Sequence, residues 1–294
     1  MMDYRLLSAL AAVIEEGSFE RAAQRLCLTQ SAVSQRIKQL ESRLGQATLL
    51  RTSPPQPTAF GQQLLNHLRQ VEQMELGLGV GNPQEAPTLR LTVNADSLAT
   101  WLPAALAQTQ TAYPGLRFHL SVEDQAVGLK RMKNGDVMAC LCASAEAVNG
   151  GRAEFLGLLR YRAVATPGFI IEQQARFGPA HWLGRAPCLV FNQDDRLQHD
   201  YLSRHGAGSP QHCHYCPSSE GFVQAVQQGM AFGLIPELQI TKQLRTGSLV
   251  EVLPDTPVDV PLYWHYWRAE SPVLKALRLS VRDAAGQVLQ PEGQ

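Results

Sequence analysis

Apolar positions in the first sixty residues repeat at helical rather than strand spacing. Leu6, Leu7, Leu10, Val13 and Ile14 recur at intervals of three and four, which predicts an amphipathic helix from Tyr4 to Ile14. Gly17 supplies a stop, and the Ser18 hydroxyl caps a second helix, Phe19 to Leu26. Its Ala22 and Ala23 are small enough for another helix to approach closely. Cys27 and Leu28 make a tight turn, and Thr29 caps a third helix over Gln30 to Leu44. On that helix Val33, Ile37, Leu40 and Leu44 fall on one apolar stripe, at about 100° per residue. Ser31, Ser34, Gln35 and Lys38 fall opposite, with Gln30 and Arg36 completing the polar set. Hydroxyls, amides and cations there suit base edges and phosphates in a major groove. An ordinary exposed face has the same polarity, so the expectation of a reading helix rests on the whole helix-turn-helix pattern.

Thr48 to Arg51 has the pattern of a short strand, and the prolines at 54, 55 and 57 bar a helix after it. A strand, a proline-rich loop and a return make a wing, with Arg51 at its base in reach of a phosphate or the minor groove. Thr58 caps a long helix carrying Phe60, Leu64, Leu68, Val71 and Met74 on one face. Such a face needs cover, and a second copy of the same helix is the expected partner. The chain then divides into a winged helix-turn-helix at 1–58, a linker helix at 59–77, a hinge at 78–88 and a C-terminal domain at 89–294.

Beyond the hinge the period changes to strands alternating with helices. Leu89 to Val93, Leu116 to Val122 and Val137 to Cys142 form one set of strands, and Cys188 to Phe191, His212 to Cys216 and Phe232 to Ile235 a second. Leu262 to Trp267 reads as a strand returning to the first set, and Val273 to Leu289 as a closing helix. This is an α/β pattern, and it predicts a largely parallel sheet. Ligands in such folds bind outside the carboxyl ends of strands, at helix N-termini. Asn94 to Ser97, Glu123–Asp124 and Pro217 to Glu220 occupy those places. The hydroxyls of Ser97, Ser218 and Ser219 suit a carboxylate, while Asp96, Glu123, Asp124 and Asp194 suit an ammonium or guanidinium group. Each serine or acid taken singly is also a helix cap. An amino acid with a basic side chain carries both ends.

Charge sharpens this picture. The whole chain is neutral, +0 by formal count, but Phe19 to Arg51 holds Arg21, Arg25, Arg36, Lys38, Arg43 and Arg51 against Glu20 and Glu41 alone. Six minus two leaves a compact basic footprint. No apolar run reaches the roughly 18 residues a membrane span needs, and the N-terminus has no export signal, which predicts a cytoplasmic protein with its six cysteines reduced. Neither a Walker A loop nor GxSxG, HExxH or a Rossmann glycine motif occurs, so no enzyme activity and no cofactor are expected. His212, Cys213 and Cys216 hold metal-ligand atoms, but no second pair follows and strand alternation turns 213 and 216 apart, so no metal is expected either.

The stretch FERAAQRLCLTQSAVSQRIKQLESRLG, Phe19 to Gly45, resembles the LysR-type transcriptional regulators. VNADSLATWLPAAL (Val93 to Leu106), SSEGFVQAVQQG (Ser218 to Gly229) and LYWH (Leu262 to His265) are similar to an arginine- and lysine-responsive branch of that family. The resemblance extends over essentially the whole chain. It implies a winged helix-turn-helix with a long linker helix, then a two-lobed α/β effector domain like the periplasmic binding proteins. Lobe I would take about 89–162 and 266–294, and lobe II about 163–265. It also implies a homodimer or tetramer on double-stranded DNA, RNA polymerase as a further candidate partner, and control of genes for amino-acid export or metabolism. The alternative within that branch is an AT-rich origin-binding protein that inhibits initiation of chromosome replication.

Overall fold

The helical periods near the N-terminus become three packed helices: α1 (Tyr4–Glu16), α2 (Phe19–Arg25) and α3 (Gln30–Leu44). Each starts on a side-chain cap worth about 1 kcal/mol: Asp3 accepts from the Arg5 N–H, Ser18 from Glu20 and Thr29 from Ala32. Leu7, Leu10 and Val13 of α1 share a buried core with Val33, Ile37 and Leu40 of α3, which Ala22 and Ala23 of α2 complete. Burying each larger aliphatic contributes about 1.5–3 kcal/mol, so this small module holds together on three helical stripes. β1 (Leu49–Leu50) and β2 (Gln56–Pro57) pair antiparallel as the wing. Behind them runs α4 (Ala59–Gly77), which begins where Thr58 Oγ1 accepts from the Gly61 N–H. Only glycine fits at 61, because a Cβ there would lie 1.9 Å from the Thr48 carbonyl oxygen.

The computed structural model describes residues 2–77, 88–123 and 125–292. The hinge expected at 78–88, except for Thr88, lies outside the described residues, as does the candidate ligand residue Asp124. One expectation for α4 is corrected. Leu64 and Leu68, placed on a self-pairing face by their spacing, are buried at 6% and 4% exposure in the chain's own N-terminal core, with Leu65 beside them. α4 packs on α1 beside α2 and α3 and closes the same core. Met74, farther along, remains 47% exposed.

The C-terminal part is built from two groups of parallel strands joined through long antiparallel ones. β3 (Thr88–Val93), α5 (Ala95–Ala99), α6 (Leu102–Ala112), β4 (Arg117–Val122), α7 (Gln125–Lys133) and β5 (Ala139–Cys142) come first. β3 lies between β4 and β5, parallel to both, with Leu91 opposite Leu120 and Ala139. β6 (Gly151–Ala165) then crosses to α8 (Pro167–Phe177), β7 (Pro187–Val190), α9 (Leu197–Arg204), β8 (His212–Tyr215), α10 (Ser219–Gln227), β9 (Gly233–Pro236), α11 (Glu237–Thr246) and β10 (Val250–Glu251). The return is made by β11 (Val258–Trp267), and α12 (Pro272–Val288) packs on α6.

The sheet is less parallel than the pattern predicted. Within the order β10–β6–β11–β5–β3–β4, β6 runs antiparallel to β10, β11 and β9, and β11 runs antiparallel to β5. The chain crosses between the two strand groups and comes back, so the crossing strands must oppose one another. β7 and β8 form a separate parallel pair. Midway along β6, Gly157 adopts φ +137 beside a register shift between Leu262 and Tyr263, with Leu289 and Gln290 pressed against it. A side chain is excluded there on both counts.

Candidate nucleic-acid interface and ligand cavity

The third helix presents its polar residues outward. Gln30, Ser31, Gln35 and Lys38 are exposed, and Ser34 and Arg36 half-buried, opposite the buried Val33, Ile37 and Leu40. Gln30, Ser34, Gln35, Arg36, Lys38 and Arg51 have no side-chain hydrogen bond or ion pair among the described residues, and Ser31 shares only the Thr29 hydroxyl at 3.0 Å. Arg51 follows β1 at the wing and is exposed. The other cations of the basic stretch are spoken for. Arg25 pairs with Glu15 at 2.7 Å, Arg43 with Asp3 at 3.4 Å, and the Arg21 guanidinium donates to the Glu16 carbonyl. The cations free to meet phosphate are thus narrowed to Arg36, Lys38 and Arg51 from the six that the charge count named.

The second feature is a cavity of about 1050 Å³ at the carboxyl ends of β3, β4, β5, β7 and β9. Five acids line it: Asp96, Glu123, Asp194, Asp195 and Asp200. Arg196 is the single cationic lining residue among those described. Glu123 is bound by Arg131 at 2.9 Å, and Asp195 accepts backbone N–H groups from Phe191 and Leu197. Asp194 and Asp200 are exposed at the cavity wall, and their carboxylates have no hydrogen-bond or ion-pair partner among the described residues.

Asp96 is the recessed acid. It stands in the first turn of α5, directly after β3, and receives a hydrogen bond of 2.6 Å from the Tyr161 hydroxyl on β6. The Ser219 hydroxyl on α10 donates to its other oxygen, and Gln239 on α11 donates to the Ser219 oxygen at 3.0 Å. Three strand and helix systems therefore meet on one carboxylate. Burial pushes its pKa above the ordinary 3.8, against the lowering effect of the Ser219 and Tyr161 hydroxyls. Among the described residues neutral hydroxyls hold it, and no cation does. Burial, with the Asp96 charge adding to it, holds the Tyr161 hydroxyl well above its usual range, so it stays a donor.

The expected serine cluster is only partly assembled. Ser219 reaches the cavity, but Ser218 is exposed and caps α10 by accepting from the Gly221 N–H. Ser97 is fully buried, does not line the cavity, and its hydroxyl has no hydrogen-bond partner among the described residues. Sequence reasoning missed Tyr161, Asp195, Asp200, Arg196 and Gln239. The run Asn192-Gln193-Asp194-Asp195-Arg196 after a strand was a visible signal for two of them, Asp195 and Arg196; nothing local marks Tyr161 or Gln239, which arrive from distant elements. Among the described residues no group of three His, Cys, Asp or Glu side chains is placed to hold a metal ion, and no helix is long and apolar enough to cross a membrane.

Comparison with known proteins agrees with both features. Residues 4–62 match the family model described as bacterial regulatory helix-turn-helix protein, lysR family, and residues 82–286 match the LysR substrate binding domain. The HTH-type transcriptional regulator ArgP of Pseudomonas fluorescens is 50% identical over 299 residues, covering 99% of each chain. Its namesake in Pseudomonas aeruginosa is 49% identical over 294 residues, covering 98% of each. Among solved structures, ArgP from Mycobacterium tuberculosis is 34% identical with a TM-score of 0.86, over 99% of this chain and 100% of that one. Full-length LysG from Corynebacterium glutamicum with bound effector Arg is 33% identical with a TM-score of 0.82, at the same coverage. These names describe regulators rather than enzymes, and none describes origin binding. The chain belongs to the LysR family of helix-turn-helix transcriptional regulators.

Proposed function

We propose that this regulator binds a basic amino acid, L-arginine or L-lysine, in the cavity, and that occupancy alters its hold on DNA. The observation that carries the reading is Asp96: a recessed carboxylate met only by neutral hydroxyls, in a cavity with five acids and one arginine. A charge held away from water is costly unless a counter-charge joins it, and a guanidinium or ammonium ligand supplies one. Asp194 and Asp200 offer unpaired carboxylates for a second cationic group. Arg196, the single lining cation, and Ser219 at the start of α10 suit the ligand carboxylate. LysG, similar along its whole length, was solved with arginine as its effector, which supports the same ligand class here.

On the DNA side, Gln30, Ser31, Ser34 and Gln35 are the proposed base readers, with Arg36, Lys38 and Arg51 on phosphates. The protein acts as a homodimer or tetramer on cytoplasmic DNA, reading two half-sites as helix-turn-helix dimers do. The domain division at 58, 77 and 88 stands on the same footing: α4 closes the DNA-binding core and the cavity belongs wholly to residues after 88. The test is thermal melting with ligand. Binding to the folded state alone adds RT ln(1 + [L]/Kd), about 2.7 kcal/mol at a hundredfold excess over Kd. L-arginine or L-lysine should raise the melting temperature, and norleucine, which lacks the second cation, should raise it far less. Equal shifts with all three, or none with any, would refute the ligand class.

A further inference from the structure

A buried amide at the cavity wall has no hydrogen bond among the described residues. It stands where the chain enters α9, on a turn fixed by side chains bonded to backbone. Asp195 accepts from the N–H groups of Phe191 and Leu197 at 3.2 and 2.9 Å, and Asn192 Oδ1 accepts from those of Asp194 and Asp195, each at 2.9 Å. Such bonds set the turn in one shape. Three further acceptors there line the cavity: Asp194 and Asp200, both exposed, and Gln198, only 1% exposed. Gln198 Oε1 is shut off from water with no hydrogen-bond partner, and its Nε2 donates to no group, among the described residues. A buried amide is ordinarily hydrogen-bonded, because burial strips away its water and leaves the group unsatisfied otherwise. Packing alone does not call for one here, since an unbranched methionine fills such a space without a polar group. The last torsion of a glutamine side chain is soft, so its oxygen can turn toward a molecule in the cavity.

We propose that Gln198 is a specificity-determining residue: with Asp194 and Asp200 it forms the subsite for the ligand's side-chain cation, and it favours a guanidinium over an ammonium. This rests on the cavity being the site of a basic amino acid, and it divides that ligand between the two strand groups. A guanidinium presents five N–H donors in a fixed plane, whereas an ammonium is a compact point charge with three. Two carboxylates satisfy the charge of either. The planar fork has donors left over, and an amide oxygen in the wall accepts one of them. Asp96, which follows β3 in the other strand group, takes the α-ammonium. Its two oxygens already accept from the Tyr161 and Ser219 hydroxyls, which leaves lone pairs for a compact donor rather than for a bidentate fork. Arg196, on the same turn as Asp194, has no ion pair with either unpaired acid among the described residues and stays available to the ligand carboxylate.

The experiment is calorimetric titration of the full-length protein with L-arginine, L-lysine and L-citrulline, whose urea group keeps N–H donors but carries no charge. The unaltered protein should bind arginine several times more tightly than lysine, and citrulline far more weakly than both. In Gln198→Met arginine affinity should fall about tenfold, the loss expected of a hydrogen bond to a charged group, while lysine affinity changes by less than about twofold. Its urea midpoint without ligand should hold or rise, because an unbonded buried amide has been replaced by an apolar group. A residue that merely held α9 in place would lower that midpoint and weaken both ligands together. Gln198→Leu carries the same test if the methionine variant fails to fold. An unchanged ratio of arginine to lysine affinity in the variant, with arginine still bound, would overturn the role of Gln198 and leave the ligand class standing. Citrulline bound as tightly as arginine would overturn the part given to Asp194 and Asp200. Failure of the unaltered protein to bind arginine or lysine would overturn the ligand class, and this subsite with it.

Discussion

Single residues carry the chemistry, and Asp96 carries most of it. Because its folded pKa is raised above 3.8, its charge opposes folding of the ligand-free protein. The stability it allows is fully present below the unfolded value and is lost as pH rises through the folded one. Asp96→Asn should therefore raise the melting temperature of the ligand-free protein at pH 7 while removing the shift caused by arginine. The ligand's cation needs the ionised carboxylate, so arginine affinity should fall as pH drops through the raised pKa, starting above 3.8, and the Asn variant should show no such step. Calorimetric titration across pH 4–7 checks both, and an unchanged profile in the variant would assign the cation elsewhere. On α3, Gln35→Ala should cost on the order of 1–3 kcal/mol at one base pair, read as relaxed preference there in competition binding with single-base operator variants. Uniform weakening on all sequences would make Gln35 a backbone contact. The candidate reading face was legible because helical spacing alone separates Ser34 and Gln35 from Val33 and Ile37. Asp96 was legible for a similar reason, as an acid placed directly after a strand. Ser97 was not: whether a side chain in a five-residue helix turns toward the cavity or the interior depends on what packs above it.

At the scale of elements, the apolar face of α4 had two candidate partners, and periodicity does not distinguish them. The structure places Leu64 and Leu68 against α1. Each changed to alanine should destabilise the N-terminal module by about 2–5 kcal/mol, seen as a lower urea midpoint. A loss confined to the oligomeric state, with the midpoint unmoved, would return these residues to a self-pairing face. Gly61→Ala should be costly as well, about 1–3 kcal/mol or more, since its Cβ meets backbone rather than a flexible side chain. The longest strand, β6, carried little local signal. Its sequence GRAEFLGLLRYRAVA mixes arginines and a glutamate among apolar residues. Three of those charges are satisfied only in the fold, Arg160 by Asp259 at 2.7 Å, Arg162 by Glu237 and Glu251, and Glu154 by Arg278 at 2.9 Å. With β6 unseen, the antiparallel crossing was unseen too, and a parallel sheet was the natural expectation.

Across the whole molecule, the DNA-binding part and the sensor part touch where α4 meets the turn after α7. Arg69 of α4 donates to the Gly135 carbonyl at 2.7 Å and pairs with Asp136 at 3.3 Å, and it lies 3.9 Å from Glu15 of α1. Gln62 and Asn66 donate to the carbonyls of Asn134 and Lys133, and Gly135 leaves room for Asn66. These contacts follow α7, which begins just after the cavity residue Glu123. Arg69→Ala should leave arginine affinity unchanged while reducing the effect of arginine on DNA binding, a separation visible by comparing calorimetry with fluorescence anisotropy. Loss of both together would make Arg69 a folding residue. The account as a whole joins an acid-lined cavity to a helix-turn-helix, and one measurement addresses that union directly. DNase footprinting on the intergenic DNA flanking its own gene, with and without L-arginine, should show a protected region whose extent or occupancy changes with arginine, and the Asp96→Asn protein should protect the same DNA without responding. A footprint indifferent to arginine and lysine in the unaltered protein would contradict it.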